Sequence, residues 1–237
     1  MLTGAEPSFP PLLRGEDAAG DPFAKAVSRA LTGADPGLVT YSRRFDALEA
    51  AVVLAPEQPL QRAIGVYLAA PVALGDAIGA LAPPEVAVHY DWPGGIRVNG
   101  ARCGRIRAAA ATEAPGEVPD WLVLGVEVPF LPTEGAEGGE RPDDTCLHAE
   151  GCGDVMPQPL LESWSRHLLV WINRFVDDGI APLHAAWRAR AWKMGEPLAE
   201  GSPFGPGVFM GLDEMGGLLV KRPGGTALHP LTEALER

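Results

Sequence analysis

Apolar positions recur along the chain first with helical and then with strand spacing, and the order of the two periods already outlines a mixed α and β protein. A short helix is predicted over Asp21–Leu31, where Asp21 can cap the N-terminus, Pro22 takes the first helical position and Gly33 can end it. Leu38–Tyr41 and Ala50–Leu54 read as two strands around the polar loop Ser42-Arg43-Arg44-Phe45-Asp46, which puts the arginine pair at a hairpin tip. Leu60, Ile64, Leu68 and Val72 keep helical spacing through Leu60–Leu81, with Pro71 expected to kink or restart that helix. Strands follow at Val86–Tyr90, Ile96–Val98, Cys103–Ala110 and Trp121–Val128, the middle two joined across Asn99-Gly100, a strong hairpin signal. Pro132–Asp144 is rich in glycine, proline and acids and reads as a mobile loop. The clearest helix is Pro159–Val176, with Leu161, Trp164, Leu168, Trp171 or Ile172, and Phe175 on one stripe and Gly179 at its end, and a second begins near Pro182. Short strands at Val208–Leu212 and Gly217–Lys221 form a small β appendage.

Composition narrows the function classes. The 237 residues are 46% hydrophobic and 21% charged, ordinary globular usage, so a folded protein with a sizeable core is expected. A formal net charge of -12 opposes phosphate backbones, and nucleic acid is not an expected partner. No apolar run is read as approaching the roughly 20 residues of a membrane helix, and the N-terminal stretch lacks a signal-peptide pattern. No membrane association is expected, and the cytoplasm is the expected location. Cys103, Cys146 and Cys152 are an odd number of thiols, which fits a reducing compartment better than a disulfide framework. Cys146-Leu147-His148 followed by Cys152 spaces possible zinc ligands but lacks a second paired knuckle, so no metal site is expected.

The run Asp91-Trp92-Pro93-Gly94-Gly95 leading through the Asn99-Gly100 turn to Arg102-Cys103-Gly104-Arg105-Ile106 resembles the signature of biotin protein ligases, in which Lys-Trp-Pro-Asn-Asp precedes Lys-Leu-Ala-Gly-Ile. Leu124-Gly125-Val126-Glu127-Val128 is similar to that family's Gly-x-Gly-x-Asn strand, and Thr145-Cys146-Leu147 to its Thr-Ser-Leu stretch. The later helices and Gly211–Leu219 follow in family order, so the resemblance to the biotin/lipoate A/B protein ligase family covers most of the chain from Asp21 onward. It implies an α+β fold, a mixed β-sheet flanked by helices of the class II synthetase-like type. Residues 1–192 would form the ligase-like domain, and 193–237 a small C-terminal β domain. It also implies condensation of biotin or lipoate with ATP and Mg2+, then transfer of the acyl group to a carrier lysine. The early start of the match leaves no expected place for an N-terminal DNA-binding domain.

The same comparison places substitutions where the chemistry would be. Arg102 stands at the family lysine and is the candidate catalytic residue; it keeps the charge but replaces a compact ammonium with a planar fork. Arg43, Arg44, Trp92, Pro93, Gly94, Gly95, Arg105, Gly125 and Glu127 are the candidate ligand-binding residues. The early loop has no glycine for a backbone phosphate nest, Asp91 replaces a lysine, Gly94-Gly95 an Asn-Asp pair, Arg105 a glycine and Glu127 another. A strict period of two puts Arg105 and Arg107 on one strand face and Arg102 with Ile106 on the other. Three functions stay open: an adenylate-forming ligase, a non-catalytic module that binds a small carboxylic acid or a carrier protein, and an octanoyltransferase-like enzyme using Cys146 or Cys152 as nucleophile.

Overall fold

The computed structural model describes residues 6–132 and 143–236. Its main layer is a seven-stranded mixed sheet in the order β1-β2-β3-β7-β6-β5-β4. The strands are β1 (Arg14–Asp17), β2 (Leu38–Tyr41), β3 (Ala47–Leu54), β4 (Val88–Asp91), β5 (Gly95–Val98), β6 (Ala101–Ala110) and β7 (Leu122–Pro129). Only β1 and β2 run parallel; every other neighbour is antiparallel. A second sheet of three antiparallel strands, β8 (Val208–Leu212), β9 (Leu218–Arg222) and β10 (Gly225–His229), closes the chain. Fold class and hairpin placement match the expectation; β1 and β10 are additional. Both are short and largely exposed, so neither carries the apolar run that marks a strand.

Helices cover one face of the main sheet. The Leu60–Leu81 segment splits into α2 (Leu60–Ala63), a 3-10 stretch over Ile64–Leu68 and α3 (Ala69–Leu81). The break therefore lies before Pro71, which falls in the first turn of α3, where a missing N–H is best tolerated. This segment also corrects the expectation about apolar length. At 22 residues it is long and apolar enough to cross a membrane by length and composition alone, and 78% of its apolar 18-residue window is buried inside the protein. It is the core helix. Against it packs α4 (Pro157–Asp178), whose fully buried Trp164 donates its indole N–H to the Ala70 carbonyl at 3.2 Å, followed by α5 (Ala181–Ala189). Phe209, Leu212, Leu218 and Val220 of the small sheet belong to the same buried cluster as Trp164, Trp187 and Trp92. The loop expected over 132–144 falls mostly at 133–142, outside the described residues.

The opposite, outer face of the sheet is covered only in part, by α1 (Pro22–Leu31). Asp21 caps α1 by accepting the Phe23 amide N–H at 2.8 Å. Phe23, Ala26 and Ala30 pack on Ala51, Val53, Ala109 and Val123 in a second, smaller cluster. Gly125 makes this seat possible, since a Cβ there would stand 2.6 Å from the Phe23 ring. Past the N-terminus of α1 the outer face turns from apolar to charged.

Candidate functional site

Strand register sets the charged face. One row across the sheet reads Glu49 on β3, Glu127 on β7, Arg105 on β6, Gly95 on β5 and Asp91 on β4. The next row pairs Ala51, Gly125 and Arg107. Each side chain in a row projects to the same face, so acids and arginines that lie far apart in sequence become neighbours.

The alternation expected for β6 does not hold upstream of Gly104. Ile96 pairs with Gly104 but Arg97 pairs with Arg102, leaving Cys103 as the extra residue of a bulge. Ile96 and Val98 are buried in the core, so Arg97 between them faces outward, and its partner Arg102 does too. Arg102, Arg105 and Arg107 thus share the outer face, and the predicted opposition between Arg102 and the other two is corrected.

Every one of these cations meets an acid of the chain. Arg102 Nε donates to Asp144 at 2.8 Å and Arg105 Nε to Glu127 at 2.6 Å. Arg107 donates to Asp21 at 3.0 Å and Glu127 at 2.9 Å through Nη1, and grips Glu236 through Nε at 2.9 Å and Nη2 at 2.8 Å. In the β2–β3 loop Arg43 Nε donates to Asp17 at 2.7 Å, and Arg44 forks onto Asp46 at 2.9 and 2.6 Å. Asp91 accepts Arg97 Nε at 2.6 Å. Nothing in the sequence marks Asp21, Asp144 or Glu236 as the partners, because pairings at separations of 42 to 129 residues leave no local pattern.

The Trp-Pro turn is closed off. Trp92 is buried, its indole N–H donates to the Gly216 carbonyl at 2.9 Å, and its ring meets Phe204 edge-on at 5.0 Å. A Cβ at Gly94 would collide with the Tyr67 hydroxyl, which donates to the Ile106 carbonyl at 2.9 Å, and one at Gly95 would stand 2.8 Å from Asp91 Cβ. Pro93 follows Trp92 through a cis peptide bond.

Cys146 and Cys152 are both buried, as is Cys103. Burial pushes the Cys152 thiol up, away from the thiolate that a nucleophile needs. His148 turns its Nε2 to the Val155 carbonyl at 3.1 Å. Among the described residues no group of three or more His, Cys, Asp or Glu side chains is placed to hold a metal ion.

Two hollows flank α1. One is a shallow dent, with no room for a water molecule in its present form, lined by Asp21, Phe23, Arg107 and Glu127. A wider one of about 530 Å³ lies at the other end of the helix, where Asp35 and Asp120 supply the charge and no lysine or arginine does, so it does not suit an anion.

The ion pairs make the face acid-sensitive. Lys25 holds the Glu16 carboxyl below its ordinary 4.5, and Arg44 holds Asp46 below 3.8. At Asp21 burial alone would raise the value, but the Arg107 bond and the Phe23 amide together bring it below 3.8. A carboxyl depressed by folding contributes stability above its unfolded pKa and loses it as pH falls through the folded value. The urea midpoint is therefore expected to be level from about pH 7 to 5 and to fall progressively below about pH 4. A midpoint unchanged down to pH 3 would contradict these pairings.

A mixed seven-stranded sheet flanked by helices is the fold of biotin protein ligases. The chain belongs to the biotin/lipoate A/B protein ligase family, whose model matches residues 9–189. It is 29% identical over 185 residues to a biotin–[acetyl-CoA-carboxylase] ligase of Paracoccus denitrificans, covering 77% of each chain. A biotin protein ligase-like protein of unknown function from Silicibacter sp. superposes with a TM-score of 0.91 at 48% identity, over 98% of this chain and 100% of that one. The Aquifex aeolicus biotin protein ligase in complex with biotin and ATP shares the fold, at a TM-score of 0.68 and 16% identity over 92% of this chain and 94% of that one.

Proposed function

We propose that this chain is a binding member of its family, a ligase-fold module that takes a small carboxylic acid of the biotin or lipoate type onto the outer sheet face without condensing it with ATP. The charge arrangement carries this reading. Adenylate formation brings a carboxylate against a triphosphate and needs uncommitted cations and backbone donors to hold both anions. Here Arg43, Arg44, Arg102, Arg105 and Arg107 each close on an acid within 3.0 Å. The loop Ser42–Asp46 offers no glycine nest. These residues do not fit a nucleotide triphosphate with its Mg2+. A monoanion, by contrast, can exchange with one resident carboxylate, charge for charge. The net charge of -12 further disfavours an acidic carrier domain as partner.

A second reading, ATP-dependent protein ligation, draws on Arg102. Its side chain is 54% exposed, a single acid holds it, and it stands at the position that matches the family lysine. One experiment separates the two. Calorimetric titration with biotin, lipoate, octanoate and ATP is expected to give saturable binding of at least one acid, and an assay with Mg2+ present to give no pyrophosphate. Acid-dependent pyrophosphate release would overturn the binding reading in favour of the ligase.

A further inference from the structure

Arg107 has one edge committed to the fold and one edge held by a removable group. Its guanidinium lies over the Phe23 ring at 4.1 Å, with the side chain only 15% exposed. Nη1 meets two acids that cannot leave without disrupting secondary structure, since Asp21 caps α1 and Glu127 sits within β7. Nε and Nη2 form the other edge, gripped in a fork by Glu236. That fork is the geometry by which a guanidinium binds any carboxylate.

Glu236 is anchored more lightly than its two companions. It follows a 3-10 turn over Leu231–Ala234 and rests on β6 beside one isolated bridge, Leu235 to Ala108, with its own N–H donated to the Ala108 carbonyl at 2.7 Å. Three carboxylates on one guanidinium repel one another, so the least anchored leaves at the smallest cost.

We propose that Glu236 is a built-in occupant of the carboxylate site: the Nε–Nη2 edge of Arg107 anchors the bound acid, and Leu235–Glu236 lifts from β6 to admit it while Leu231 stays buried in the core. This rests on the outer face being an acid-binding face. Arg107 is not among the positions that the family motifs mark. A tethered carboxylate competes at an effective concentration in the millimolar range, so removing its charge should tighten acid binding by about tenfold or more.

The test titrates octanoate and lipoate into the wild type and Glu236→Gln, which keeps side-chain size and removes the charge, with octanamide as the uncharged control. Hydrogen exchange of the Glu236 amide is followed with and without saturating octanoate. Tighter binding of both acids to E236Q, none of octanamide, and faster exchange at Glu236 in the liganded wild type are expected. Equal acid affinity in both proteins with unchanged exchange would overturn the proposal while leaving the outer face as an acid site. No acid binding to either protein would remove both.

Discussion

Gly94→Asn, which restores the residue type found in the ligase family's Trp-Pro-Asn-Asp run, is expected to destabilise the protein by about 3 kcal/mol rather than to create a ligand contact. The space that an Asn side chain needs is filled. A Cβ at position 94 meets the Tyr67 hydroxyl and lies 2.9 Å from the Ile106 carbonyl, the acceptor of that hydroxyl's bond. Tyr67 is fully buried, and burial raises its ionisation well above the ordinary value, so the hydroxyl stays neutral and bonded. Relief requires moving Tyr67 out of a close-packed core or breaking its hydrogen bond, and both are costly. Urea denaturation of G94N, Y67F and the double variant measures this. The double variant should cost less than the sum of the two singles, because Phe lacks the clashing oxygen. If G94N proved as stable as the wild type, Tyr67 would not be what fills this position.

Trp164→Ala should cost about 3–5 kcal/mol, among the largest effects available to a single core substitution. Trp164 is fully buried between α4 and the core helix, and its indole N–H is satisfied by the Ala70 carbonyl. Truncation removes a large apolar volume and an inter-helix hydrogen bond together. Total stabilities of domains run to about 5–15 kcal/mol, so the variant should be marginal at room temperature. The urea midpoint reads it, and a loss under about 1 kcal/mol would mean that α4 can collapse onto α3 without this residue.

The elements that were legible in the sequence are those whose signals are local. Asp21-Pro22 marks a helix start by capping chemistry, Asn99-Gly100 marks a hairpin by backbone conformation, and the stripe from Leu161 to Leu168 marks a buried helix by spacing. The family resemblance extended this to the order of the blocks and so to the sheet. Other features are set by contacts the sequence does not display. Trp92 reads as a pocket wall because a Trp-Pro turn is apolar and terminal to a strand, yet Gly216 and Phe204, more than 100 residues away, cover it. The arginines carry two readings in sequence, convergence on an anion or pairing with some of the chain's 31 acids, and nothing local names the acid that each would meet. Their acids arrive from α1, β7, the segment near Asp144 and the chain's last turn, and only the assembled sheet brings them within hydrogen-bond range.

The bulge in β6 shows how one residue can do two jobs at different levels. A regular strand places side chains three apart on opposite faces, yet Arg102 and Arg105 look the same way. Cys103 is the residue that the ladder could lose without turning either arginine, since Arg102 would still face Arg97 and Gly104 would still face Ile96. Its side chain is fully buried in the main core. The strand has thus gained a unit of interior volume while its outer face kept its phase, and a guanidinium spacing typical of a helix surface has been written into a sheet.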